Sequence, residues 1–85
     1  MYKGLVGKAA ILFYLMIKNH PFSNGNKRVA VVTLLVFLSK NGKWLETDNQ
    51  RLYNFAVWIA ESPAQYKDEI VRIIQRFISK NLVEG

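Results

Sequence analysis

The sequence predicts an all-α domain of four main helices, on three observations. Apolar residues recur at helical spacing in four separate stretches, and helix-start or helix-stop residues fall between them. No cysteine is present to staple a loop-rich alternative, and a secreted chain of this size would usually need one, so the protein reads as cytoplasmic. Eighty-five residues, 51% of them apolar, suffice for one small domain with a single core, which takes residues 1–85 as one unit.

The first stretch carries Val6, Ala10, Phe13 and Ile17 at spacings of four, three and four. Leu5, Leu12, Leu15 and Met16 thicken that stripe, which predicts a helix over residues 5–18, apolar nearly all round and therefore central and buried. Pro21 disfavours helical geometry at His20 and ends it. Asn24-Gly25-Asn26 is a turn signal, and the apolar run that follows leads into Ser39-Lys40-Asn41-Gly42. Its β-branched residues favour a strand. Its length, the basic last turn and Gly42 just beyond it favour a buried helix over residues 26–41.

Thr47-Asp48-Asn49-Gln50 resembles a capping box, and Leu52, Phe55, Ala56 and Ile59 then share one face, predicting a third helix over residues 48–61. Ser62-Pro63 repeats the start signal with proline at the first helical position. Ile70, Ile73, Ile74, Phe77 and Ile78 follow at the spacing of an amphipathic fourth helix, with Asp68 and Arg72 one turn apart on its other face. The two longest apolar runs, residues 9–17 and 29–38, are about half of the ~20 residues that span a bilayer, so no membrane segment is predicted.

Charge is unevenly placed. Residues 1–45 hold Lys3, Lys8, Lys18, Lys27, Arg28, Lys40 and Lys43 with no acidic residue, whereas residues 46–85 carry five positive and six negative side chains. The first half therefore presents a positive field to phosphates or to an acidic partner. A nucleic acid is the less fitting anion, because Trp44, Trp58 and the tyrosines are spread along amphipathic helices without forming a stacking platform.

Residues 20–28 are the stretch that packing does not explain. Glycine and asparagine at a helix start leave backbone N–H groups accessible where the helix dipole is positive, which suits a phosphate. Lys27 and Arg28 lie in the same first turn, where each cation opposes the dipole at roughly 0.3–1 kcal/mol. That cost is understandable if an anion occupies the site. His20, the one histidine of the chain, lies just upstream; with an ordinary pKa near ~6.5 an imidazole can take a proton from a hydroxyl at neutral pH.

His20-Pro21-Phe22-Ser23-Asn24-Gly25-Asn26-Lys27-Arg28 resembles the signature loop of the Fic/Doc family, His-x-Phe-x-Asp/Glu-Gly/Ala-Asn-Gly/Lys-Arg. Lysine at 27 is similar to the Doc, or death-on-curing, branch. The resemblance extends along the chain: an apolar helix before the loop, a buried helix after it, an Asn-Gly turn at 41–42 and two further helices. It implies a compact helical Fic/Doc-type domain that lacks the substrate-aligning flap found before the loop in the family. It implies that His20 is the general base on a Ser, Thr or Tyr hydroxyl of a target protein, and that Phe22 anchors the loop in the core. Asn24, Gly25, Asn26, Lys27 and Arg28 would hold the phosphates of ATP or another nucleotide.

The chain departs from the family pattern at defined places. Asn24 stands where the family has its acidic magnesium ligand, and Val31 stands where AMP-transferring members have a second arginine. A self-inhibitory Ser/Thr-x-x-x-Glu-Gly/Asn motif is approached by Ser79 and Glu84, but one residue too many separates them. Restraint would then come from a partner such as an antitoxin peptide. Two functions follow as expectations: a transferase moving phosphoryl or AMP to a protein hydroxyl, plausible as a toxin of a toxin–antitoxin pair, or a catalytically impaired module that binds nucleotide or a partner. A domain short of its flap should also leave part of the apolar helix over residues 5–17 uncovered, which predicts a homo-oligomer.

Overall fold

A computed structural model describes residues 4–19 and 25–85, and of residue 26 the backbone alone. Four helices carry the chain: α1 (Gly4–Lys18), α2 (Gly25–Lys40), α3 (Asn49–Glu61) and α4 (Lys67–Asn81). Two three-residue strands, β1 (Lys43–Leu45) and β2 (Leu82–Glu84), complete it, with a 3-10 turn at Ala64–Tyr66. The domain is all-α as the periodicities predict, with a small antiparallel ribbon added. Helix α1 packs against the other three helices. Its small residues Gly7, Ala9 and Ala10 are buried together with Phe13, Tyr14 and Ile17, so neighbours approach its backbone closely.

Around α1 the core is filled by Leu34 and Leu38 of α2, Leu52 and Ile59 of α3, and Ile74 and Ile78 of α4, all fully buried. Helix α1 is mostly covered: among its apolar residues Leu15 is exposed and Leu5, Val6, Ile11, Leu12 and Met16 are half-buried. One expectation is corrected here. Helix α2 is not buried all round: Ala30, Val31, Leu34 and Leu38 face the core, while Val29, Val32 and Val36 face outward. A long apolar run reads as buried because periodicity is lost when both faces are apolar.

The ribbon was not legible in the sequence, because three residues are too few to establish a period of two. Its register pairs Lys43 with Glu84, Trp44 with Val83 and Leu45 with Leu82. Both helices that feed it end alike: the amides of Asn41 and Asn81 donate to the carbonyls of Phe37 and Phe77, each at 2.8 Å. Gly42 then adopts φ +75°, the left-handed conformation in which glycine has no Cβ penalty, as its place beyond the helix end predicts. The Lys43 ammonium and the Glu84 carboxylate meet at 3.0 Å across the ribbon.

The start of α3 lies one residue later than the capping-box reading. Asp48, not Thr47, is the N-cap, and its carboxylate accepts from the Gln50 amide N–H at 3.1 Å. The Gln50 side chain donates to Asn54 instead of reaching back, and the Thr47 hydroxyl is buried without a partner. At the other end Ser62 closes α3, its hydroxyl donating to the Ile59 carbonyl at 2.6 Å. Pro63 therefore precedes the 3-10 turn, and α4 begins four residues after it. Asp68 and Arg72 do not close into an ion pair; among the described residues the one within 4.0 Å is Lys43–Glu84. No described helix is long and apolar enough to cross a membrane.

Candidate functional site

Residues 20–24 lie between the anchored end of α1 and the start of α2. At the end of α1, Lys18 donates through its ammonium to the carbonyls of Ala60 and Ser62, placing a cation on the C-terminal end of α3 where the helix dipole favours one. The Asn19 N–H continues the α1 ladder to the Leu15 carbonyl at 2.8 Å. Gly25 is the first residue of α2. His20, Phe22 and Asn24, expected as base, anchor and ligand, lie outside the described residues, as does the Asn26 side chain.

The first turn of α2 holds Gly25, Asn26, Lys27 and Arg28 and no acidic residue. The N–H groups of such a turn have no acceptor within the helix, and the dipole leaves about half a positive charge there. Lys27 is half-buried and Arg28 exposed, and no carboxylate lies within ion-pair distance of either. Two uncompensated cations on the positive end of a helix, beside free backbone N–H groups, suit an anion.

Arg28 is steered by α3. Its guanidinium carbon lies 5.6 Å from the centroid of the Tyr53 ring, inside the ~6 Å range of a cation–π contact that contributes about 0.5–1 kcal/mol on a surface. Beyond this pair an open groove of about 310 Å³ runs between α2 and α3, floored by Val31, Val32 and Leu35 and edged by Asn49 and Gln50. Tyr53 was not legible as a site residue, because it stands beside, not on, the Leu52–Phe55–Ala56–Ile59 face. Its relevance appears only once α2 and α3 pair across the Asn41-Gly42 turn. Val31 is buried on the core side of this groove, so the position where part of the family has a second arginine serves here in packing.

Residues 2–38 match the Fic/DOC family model. The match takes in α1, residues 20–24 and most of α2, which is the framework just described, and it leaves residues 39–85 unmatched. No curated protein and no solved structure matches the chain. The similarity to the Fic/Doc family is confined to that segment and does not distinguish the Doc branch within the family.

The two groups that the family implies fit unequally. Phosphates fit the α2 first turn, which supplies N–H donors, two cations and no competing carboxylate. Magnesium does not: Asn24 offers a neutral oxygen, residues 1–45 contain no carboxylate, and the described residues form no group of three or more His, Cys, Asp or Glu able to hold a metal. Glu84, the acid nearest in sequence pattern to a self-inhibitory glutamate, is paired with Lys43 in the ribbon. The ribbon follows the far end of α2, a helix whose sixteen residues span about 24 Å.

Proposed function

We propose that this chain is a Fic/Doc-type transferase of the Doc branch, moving a phosphate-containing group from ATP or another nucleotide to a Ser, Thr or Tyr hydroxyl of a target protein. The observation that carries this reading is the first turn of α2, with uncompensated Lys27 and Arg28 directly after a His20–Asn26 sequence of family type, inside the segment that matches the family. His20 takes the proton of the acceptor hydroxyl. The freed oxygen forms the new bond to phosphorus, the bond to the leaving phosphate breaks, and Arg28 with the α2 N–H groups stabilises the charge that develops. Phosphoryl transfer from the γ position is favoured over AMP transfer by Lys27 and by the apolar Val31.

The protein acts in the cytoplasm, and an antitoxin peptide would be drawn to the acid-free half of the chain. The outward valines of α2 are the exposed apolar surface through which self-association is expected. One specific observation favours the alternative of a binding module without catalysis: Asn24 in the metal-ligand position.

Incubation with ATP labelled separately at the α and γ phosphates, with cell lysate as acceptor, tests the reading. Label from the γ position is expected on protein, lost in both His20→Ala and Arg28→Ala. Nucleotide binding should survive His20→Ala but fall roughly tenfold or more in Arg28→Ala, as for a charged hydrogen bond of ~1.5–3 kcal/mol. Label from α makes the protein an AMP transferase, label from neither with binding retained makes it a binding module, and equal binding losses in the two variants contradict the assigned roles.

A further inference from the structure

We infer that the pocket between the end of α3 and the start of α4 binds an arginine side chain presented by a partner protein. This pocket, of about 480 Å³, is built from two similar arms. Trp58 and Glu61 stand three residues apart on the last turn of α3, and Tyr66 and Glu69 stand three apart where the 3-10 turn enters α4. Each arm brings one aromatic ring and one carboxylate to the same cavity, with Ile70 beneath them.

Both aromatic walls are open, and the Trp58 wall is held. Trp58 is 44% and Tyr66 46% exposed, unusual for side chains of their size. The indole is fixed from behind by Phe55, stacked at 5.7 Å and 10°, and Phe55 in turn packs on Phe77 at 4.5 Å. A ring positioned before any ligand arrives is a ready face for a cation, and tryptophan is the best such face.

Among the described residues the carboxylates have no ion-pair partner. Neither Glu61 nor Glu69 has a cation within 4.0 Å among the described residues. Glu69 is accounted for by the first turn of α4, where acids are favourable, but Glu61 is the last residue of α3, where an anion opposes the dipole. Lys18 caps the nearby carbonyls and does not line the pocket. In a chain of net charge +6, the charged side chains lining this pocket are both negative.

A guanidinium matches this set better than an ammonium, since it stacks flat on an aromatic face while its fork bonds a carboxylate. The pocket is open on one side, so a single side chain can enter it while the chain that carries it stays outside. The arginine is therefore presented on a peptide or protein, and its side chain alone makes the contacts in the pocket.

Titration of the full, isotope-labelled chain with a capped Gly-Arg-Gly peptide, followed by NMR, tests it. Saturable shifts are expected at the Trp58 indole and at the amides of residues 66–70, with none from the citrulline peptide, which has the same shape and no charge. Trp58→Leu should weaken binding about two- to fivefold, the size of a surface cation–π contact. Glu61→Gln, a change at an exposed side chain that leaves the core intact, should weaken it as well. No saturation, equal shifts with citrulline, shifts outside the pocket, or tighter binding of tetramethylammonium than of the peptide would each overturn the proposal.

Discussion

Lys27 and Arg28 are the residues whose placement is hardest to reconcile with stability alone. Both stand on the positive end of α2, and only Arg28 recovers part of that cost, by lying over Tyr53. This much was legible in the sequence, because a cation pair in the first turn of a helix is a conflict visible without coordinates. What was not legible is the direction in which Arg28 points, which depends on a residue 25 positions away on another helix. Asn24 raises the complementary question, since a neutral amide is a poor ligand for a hard cation. Asn24→Asp is expected to give magnesium-dependent tightening of ATP binding by calorimetry, because an anionic oxygen would join the phosphates around the ion. Unchanged binding with and without magnesium would show that the carboxylate is not the limiting component.

At the scale of elements, the four helices were readable because each has its own start or stop chemistry, and the errors fall where two signals compete. Thr47 and Asp48 are both good N-cap residues, and the sequence alone favoured Thr47 through its spacing to Gln50. In the fold Leu45 is buried in the ribbon, which fixes where the chain enters α3 and leaves Asp48 as the residue whose carboxylate reaches the Gln50 N–H. Substitution separates the two readings. Asp48→Ala should destabilise the protein by about 0.5–2 kcal/mol in urea unfolding, the ordinary range for a lost N-cap. Thr47→Val should be neutral or stabilising, because it removes a buried hydroxyl that has no partner. The reverse order would return the cap to Thr47.

For the whole molecule, the uneven charge and the outward face of α2 act on the same surface. Val29, Val32 and Val36, 53%, 58% and 46% exposed, follow at spacings of three and four and form one ridge beginning beside Arg28. Such a ridge favours self-association, but a stable interface covers roughly 800 Å² on each partner, far more than three half-exposed valines supply. The complex expected is therefore weak and concentration-dependent. Lys27, Arg28 and Lys40 flank the ridge on the half of the chain that has no acid, so two copies also repel one another. Salt screens that repulsion, with a Debye length of about 8 Å at 0.15 M, while the apolar contact is little affected by it. Association in sedimentation equilibrium should accordingly strengthen as ionic strength rises, the opposite of what an ion-paired dimer would do. Val32→Lys, which puts a further charge in the middle of the ridge, should leave only monomer. A natural chain that stays monomeric at high concentration in high salt would show that the valine face is not a contact between copies.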